Sequence, residues 1–221
     1  MERKIYILVV AGGNGSRMGS GIPKQFLELD GVPVLQRTIE KFMKALPEAR
    51  IITVLPQSSI RLWKELCVTH ALDCPQIIVP GGITRFHSVQ NALKKVPDGA
   101  IVFIHDGVRP LVSEALIVRM LEMMQTERAL VPVVPVVDTL TYEDGTLVDR
   151  QKIKAVQTPQ VFFSEDVKEA YSQAYDTSFT DDASVVRKKA VPVTLVPGER
   201  FNIKITTPED LVLARAILSL A

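Results

Sequence analysis

Apolar residues recur along this chain in two rhythms. Short runs such as "KIYILVV" (residues 4–10), "RIITVLP" (50–56), "QIIVP" (76–80), "AIVFIH" (100–105), "ALVPVVPVV" (129–137) and "PVTLV" (192–196) are rich in β-branched residues, and several are apolar throughout. Unbroken runs of this length suit strands buried on both faces of a parallel sheet. Between them the apolar positions spread to helical intervals, as at Leu35, Ile39, Phe42, Met43 and Leu46 in "PVLQRTIEKFMKAL". "SIRLWKELCVTHAL", "SVQNALKKV" and "SEALIVRMLEMMQT" behave alike, the last opening on Ser113 and Glu114 as helix-start residues. Alternation of this kind predicts a three-layer α/β sandwich around a mostly parallel, Rossmann-like sheet with right-handed crossovers.

The rhythm breaks after Met124. The stretch "VPVVPVVDTLTYEDGTLVDRQKIKAVQTPQVF" has strand-like flanks around the turn residues "EDG". Pro132 and Pro135 argue against an ordinary central strand there, because proline cannot donate to a ladder. The expectation is a β-arm or hairpin at about residues 135–157, inserted in a single domain that spans residues 1–221. Two helical segments ("SEDVKEAYSQAY" and "TDDASVVRKK"), a strand and the helix "TPEDLVLARAILSL" follow.

Composition narrows the function classes. A chain of 221 residues can bury a substantial core, and 47% hydrophobic with 23% charged residues is ordinary for a globular protein. A net charge of +1 gives no case for nucleic acid or an anionic membrane as partner. Cys67 and Cys74 lack the spacing of a metal clasp, and His70, His87 and His105 form no metal-spaced pair. The N-terminal apolar run is too short for a signal segment, and no stretch approaches membrane-spanning length, so a cytoplasmic setting with reduced thiols is expected.

The candidate chemistry begins at "AGGNGSRMGSGIPKQF", Ala11 to Phe26, directly after the first apolar run. Neither the P-loop spacing nor the third glycine of the dinucleotide fingerprint is present. Glycine alone would be an even match for a plain strand-to-helix turn. Arg17 and Lys24 shift that balance. Glycines let backbone N–H groups approach an anion, and the two side chains add full charges around it. Pro23 restricts the backbone before Lys24. At the carboxyl end of a first strand, where open α/β sheets bind ligands, this reads as a cradle for a nucleoside triphosphate.

"LVVAGGNGSRMGSGIPKQF" resembles the signature of the sugar-nucleotidyltransferase superfamily, and its G-x-G-x-R-M…P-K-Q form that of the polyol-phosphate cytidylyltransferases. With "GGITRFHSVQNAL", "HDGVRP", "DTL", "DR", "QTPQVF", "TDDAS" and "NIKITTPEDL" the resemblance runs almost the whole chain, and it points to the 2-C-methyl-D-erythritol 4-phosphate cytidylyltransferase family of non-mevalonate isoprenoid synthesis. It implies a nucleotide site of Ala11, Gly12, Gly13, Asn14, Gly15, Ser16, Gly81, Gly82, Ser88, Asp106 and Gly107. Ser88 also suits a helix N-cap, and the two roles can coexist. Ile83 stands where the family often has a polar residue.

Bottom-up, Asp106 at a strand end is a magnesium or ribose contact, or a loop-capping residue paired with Arg109. The resemblance implies Mg2+ held by the CTP phosphates with Asp106. His105 reads as a packed strand-end residue rather than a base. The resemblance assigns Arg109, Thr139, Arg150, Thr158, Thr180 and Lys204 to the polyol phosphate. Asp181 and Asp182 also suit a helix N-terminus.

The implied reaction joins CTP to a polyol phosphate, which is already an ionised nucleophile and needs no strong base. Arg17, Lys24, Arg150 and Lys204 are the expected catalytic cations, and a homodimer exchanging its arms is the expected assembly. Two other readings stay open. A ribitol-5-phosphate cytidylyltransferase shares the chemistry, but such relatives tend to a "PLPKQ"-like loop and a threonine at the place of Ser88. A nucleotide-sensing regulatory domain would not need all four cations.

Overall fold

The first apolar run becomes a strand whose alternation decides the layers. Tyr6, Leu8 and Val10 face one side and Ile7 and Val9 the other, and all are buried. In this computed structural model, which describes residues 3–13 and 22–220, the elements are β1 (Ile5–Val10), β2 (Glu28–Leu29), β3 (Val32–Pro33), α1 (Val34–Ala45), β4 (Arg50–Leu55), α2 (Ile60–Thr69), β5 (Gln76–Pro80), α3 (Arg85–Leu93), β6 (Ile101–Asp106), α4 (Glu114–Met123), β7 (Ala129–Pro135), β8 (Lys154–Val156), β9 (Gln160–Phe163), α5 (Ser164–Ala170), α6 (Asp182–Arg187), β10 (Thr194–Pro197) and α7 (Pro208–Leu218).

The main sheet runs β10-β7-β9-β6-β1-β4-β5, with β8 paired to β7. β1 is parallel to β4 and β6, and β4 to β5, as the unbroken apolar runs imply. The exceptions are β9, antiparallel to both β6 and β7, and β8, antiparallel to β7. One face packs against α1, α2 and α4 through Leu35, Ile39, Phe42, Trp63, Leu116, Ile117 and Met120. The other packs against α3, α5 and α6 through Phe86, Val89, Leu93, Val167, Val185 and Val186. Phe42, Trp63 and Phe103 are completely buried, and each such side chain contributes on the order of 2–3 kcal/mol. α7 joins a smaller cluster made by Leu29, Val34, Val108, Ile205 and Ala214.

One expectation about the segment after Met124 is corrected. Residues 129–135 do form a strand inside the sheet despite their prolines. β7 pairs with β9 at Ala129 and Leu130 and with β8 at Val133 to Pro135, so Pro132 falls between two partners and interrupts neither antiparallel ladder. Beyond Pro135 the chain runs out as an arm with little ladder of its own. β8 returns along β7 at its base, but the outer part holds one isolated bridge, Thr141 to Leu147, closed over Gly145 at φ 84°. Val137, Tyr142, Leu147 and Val156 are exposed along it.

The carboxyl ends of β1, β5 and β6 open on one side of the sheet, and the segments leaving them form the site. Among the described residues, no helix is long and apolar enough to cross a membrane.

Candidate active site

Two adjoining clefts lie at these strand ends. The larger, about 430 Å³, is lined by Val10, Ala11, Gly12, Gly13, Lys24, Gln25, Gly82, Ile83, Thr84, Arg85, Ser88, Asp106, Val108 and Lys204. The second, about 390 Å³, is lined by Arg85, Asp106, Arg109, Val156, Gln157, Thr158, Gln160, Thr180, Asp181, Ser184, Arg187 and Lys204. Arg85, Asp106 and Lys204 belong to both and form the wall between them.

The larger cleft owes its shape to backbone. Ala11 continues β1 by donating to Val54 O at 2.9 Å, and Gln25 reaches back to Ala11 O at 3.0 Å, tying the two ends of the glycine loop. Asn14, Gly15, Ser16 and Arg17 lie outside the described residues. Lys24 starts a single 3-10 turn after Pro23, whose φ is −56°, and its Nζ donates to Ile205 O at 3.0 Å.

On the far side, Gly82 N–H donates to Ser88 Oγ at 3.0 Å, and that hydroxyl donates to Thr84 O at 2.9 Å. The capping role for Ser88 is thereby corrected. Thr84 caps α3, accepting from His87 N–H, while Ser88 sits inside the helix with its proton engaged. With one lone pair taken by Gly82 N–H, a single lone pair is left to face a ligand. A Cβ at Gly82 would lie 2.4 Å from His87 Cβ and 2.9 Å from its carbonyl carbon, so no other residue fits this approach. Gly107 also requires glycine, but for packing. A Cβ there would meet Leu35 Cδ1 at 2.9 Å and Ala11 Cβ at 3.0 Å, and Gly107 lines neither cleft.

Asp106, the last residue of β6, gathers the charge. Its Oδ2 lies 2.8 Å from Lys204 Nζ and 3.6 Å from Arg109 Nε, and its Oδ1 lies 3.4 Å from Arg85 Nε. Burial alone would raise this carboxyl, but Arg85, Lys204 and Arg109 outweigh it and hold the group ionised, well below the usual carboxylate range. The pairing with Arg109 is therefore real, though it is one contact of three. Arg109 is only 12% exposed, and its Nη1 donates to Asn202 O at 2.8 Å.

His105 is fully buried, and burial pushes its imidazole down to about 3. Its Nε2 faces the Arg109 carbonyl at 3.1 Å, which requires the proton there, so Nδ1 accepts from the Thr158 hydroxyl at 3.0 Å. That hydroxyl in turn accepts from Asp106 N–H at 3.1 Å. Thr158 thus spends its proton on the framework that fixes Asp106. The packed reading of His105 holds.

Lys204 is delivered by the segment before α7. Ile205 N–H donates to Val108 O at 2.9 Å, and Asp210 closes the helix start on Thr206 and Thr207. Thr180 is exposed on the rim of the second cleft. Asp181 caps α6 with a reciprocal box to Ser184. Thr139 and Arg150 are not brought to either cleft. Both are exposed on the arm, where Arg150 Nη1 donates to Val137 O at 2.7 Å.

Four residues escaped the pattern reading. Arg85 grips Asp182 with both terminal nitrogens at 2.7 Å, and Tyr171 donates to the same carboxylate at 2.6 Å. Gln157 and Asn202 knit the second cleft, Gln157 donating to Glu199 O at 2.8 Å and Asn202 to Thr158 O at 2.8 Å. The only local hint was the placement of Arg85 between "GG" and Ser88.

Asp106 fits poorly as the anchor of a protein-built metal site, because three cations already surround it. Among the described residues no group of three or more His, Cys, Asp or Glu could hold a metal ion. A divalent cation here would rest chiefly on phosphate oxygens.

The sequence and the fold both have counterparts among known proteins. The family model for IspD, 2-C-methyl-D-erythritol 4-phosphate cytidylyltransferase, matches residues 5–220. A protein of that name from Bacteroides fragilis is 50% identical over 214 residues, covering 96% of this chain and 98% of its own. One from Porphyromonas gingivalis is 46% identical over 223 residues, covering 99% and 100%. Among solved structures, 4-diphosphocytidyl-2C-methyl-D-erythritol synthase from Anaerococcus prevotii superposes with a TM-score of 0.82 at 27% identity, covering 98% of this chain and 99% of that one. The enzyme from Thermus thermophilus gives 0.75 at 33% identity, covering 99% and 100%. Sequence over nearly the full length and fold agree, and the chain belongs to the 2-C-methyl-D-erythritol 4-phosphate cytidylyltransferase family.

Proposed function

We propose that this chain transfers a cytidylyl group from CTP to 2-C-methyl-D-erythritol 4-phosphate, its family's reaction in isoprenoid synthesis, across the two adjoining clefts. The observation behind this division is the shared wall of Arg85, Asp106 and Lys204. Two ligands that react with each other need such a common boundary. CTP is assigned to the larger cleft, its phosphates against the Ala11–Gly13 backbone and Lys24 and its base toward Gly82 and Ser88. The polyol phosphate is assigned to the second cleft, near Arg109, Thr180 and Lys204. Gly107 belongs to the framework behind them, while Thr158 lines the second cleft and also braces Asp106 and His105.

A phosphate oxygen of the polyol attacks the α-phosphorus of CTP. The new P–O bond forms as the bond to the β-bridging oxygen breaks, and that electron pair leaves with pyrophosphate. The nucleophile is already ionised, so no base is required, and the buried neutral His105 offers none. The barrier lies in bringing two anions together and in the charge that builds on the phosphoryl oxygens. Arg17 and Lys24 are assigned to that charge, and Lys204 with Arg150 to the attacking phosphate. Mg2+, carried in on the triphosphate, would neutralise phosphate charge when bound.

Arg150 and Thr139 reach no cleft of their own chain, which supports a homodimer in which each arm serves the partner's site. A cytoplasmic setting belongs to the same proposal, supported by the two free thiols of Cys67 and Cys74. The test is pyrophosphate release with CTP or ATP against a panel of polyol phosphates. Rapid release with CTP and methylerythritol phosphate alone is expected. Faster release with ribitol 5-phosphate would move the chain to the neighbouring specificity, and equal rates with ATP would remove the cytidine assignment.

A further inference from the structure

Arg85 is the first residue of α3 and supplies the guanidinium of the wall between the clefts. Its two terminal nitrogens grip both oxygens of Asp182, each at 2.7 Å, in the fork geometry a guanidinium prefers. Asp182 is completely buried at the first turn of α6, and Tyr171 donates to it at 2.6 Å. Burial and the Asp182 charge keep that phenol protonated far above neutral pH, so it remains a donor. Phe86, next to Arg85, stacks on Tyr171 with ring centroids 4.7 Å apart. The guanidinium therefore cannot rotate away, and its remaining nitrogen, Nε, faces Asp106 Oδ1 at 3.4 Å.

Asp106 in turn holds Lys204 through its other oxygen. A carboxylate gripped on one side only could swing about its χ2, carrying the lysine with it. Arg85 sits where it blocks this swing. A salt bridge serving stability alone would not need its anchor at the boundary of two ligand clefts. The fork also fixes Nε at a set angle, which a lysine ammonium could not do.

We propose that Arg85 is a positioning residue for nucleotidyl transfer: anchored on Asp182, it locks the orientation of Asp106 and so aims Lys204 at the boundary where the two phosphates meet. The inference rests on the reaction proposed above. It acts on alignment rather than on ground-state binding, and misplacement by an ångström typically costs about a hundredfold in rate.

The experiment compares Arg85→Lys, Arg85→Ala and Asp182→Asn with the unaltered enzyme, by steady-state pyrophosphate release and by calorimetric binding of CTP. In Arg85→Lys, which keeps the charge and loses the fork, kcat is expected to fall about thirty- to a hundredfold while the dissociation constant of CTP changes less than about threefold. Asp182→Asn, which retains the size and the Tyr171 contact, is expected to fall about tenfold in kcat with the same split. If Arg85→Ala does not fold, Arg85→Lys and Asp182→Asn decide the matter. Unchanged kcat in Arg85→Lys with only a lowered melting temperature would overturn the role and leave a structural brace. A rise in the CTP dissociation constant matching the loss in kcat/KM would overturn it in favour of a direct nucleotide contact. An unaltered enzyme that releases no pyrophosphate overturns the reaction itself, an outcome distinct from an active enzyme indifferent to Arg85→Lys.

Discussion

Lys204 Nζ stands 2.8 Å from Asp106 Oδ2, joining the segment before α7 to the end of β6 in the wall shared by both clefts. The pair is asymmetric, with Asp106 10% and Lys204 41% exposed at their side chains. Removing either partner therefore has different consequences.

Lys204→Ala leaves Asp106 with Arg85 and Arg109 and should fold. Its turnover is expected to drop about a hundred- to a thousandfold, the usual cost of losing one preorganised group aimed at developing charge. Asp106→Asn instead leaves three cations facing one another. Breaking a buried pair costs about 3–5 kcal/mol, and solvent access to Lys204 puts this one toward the lower end. Urea unfolding of both variants checks the contrast, which fails if Lys204→Ala is the less stable.

Gly82→Ala should damage the nucleotide cleft. Its Cβ would sit 2.4 Å from His87 Cβ, and relief requires α3 to shift or the loop to swing out. Overpacking of this kind costs about 1–3 kcal/mol. The CTP dissociation constant is expected to rise at least tenfold by calorimetry.

His105 makes stability depend on pH. Its folded pKa of about 3 lies below the ordinary 6.5, so the unfolded chain binds the extra proton first. The stabilisation is complete above about pH 6.5 and is lost progressively as pH falls toward 3, at up to about 1.4 kcal/mol per pH unit for one proton. Urea midpoints at pH 7, 5.5 and 4.5 should fall less steeply in His105→Gln than in the natural chain. Equal slopes would show that the ring does not titrate in this way. No limb of the pH–rate profile near 6.5 is expected from His105.

The exposed arm gives a complementation test. Arg150→Ala and Lys24→Ala are each expected to be nearly inactive. If Arg150 serves the partner's site, a mixed dimer has one site with both defects and one with neither, so up to about half of the activity of an unaltered dimer returns in that species. No recovery despite demonstrated subunit exchange would confine Arg150 to its own chain.

Much of the architecture was legible locally. The periods of the apolar runs told strands from helices, Ser113 and Thr207 start helices through contacts within a few residues, and the glycines mark close approaches of the backbone. These signals depend on neighbours along the chain, which any sequence displays. The capping role of Ser88 misled because Thr84, four residues earlier, takes the helix start and leaves Ser88 inside it. Pro132 misled because a strand that changes partners midway has a gap where a missing donor costs nothing, and a partner change is not written in the strand itself.

By itself, then, the sequence determined the elements, their alternation and the loop chemistry at the strand ends, since each depends on local sterics and periodicity. Tertiary structure alone decided which charges meet. Arg85 and Asp182 stand 97 residues apart, and nothing in the sequence pairs them, Asp182 suiting only a helix start. Sheet order brings β6 beside β1, and the packing of α6 against the same face as α3 closes the gap between them. Only then does burial turn a carboxylate and a guanidinium into a fixed pair, because charge withdrawn from water must find its opposite.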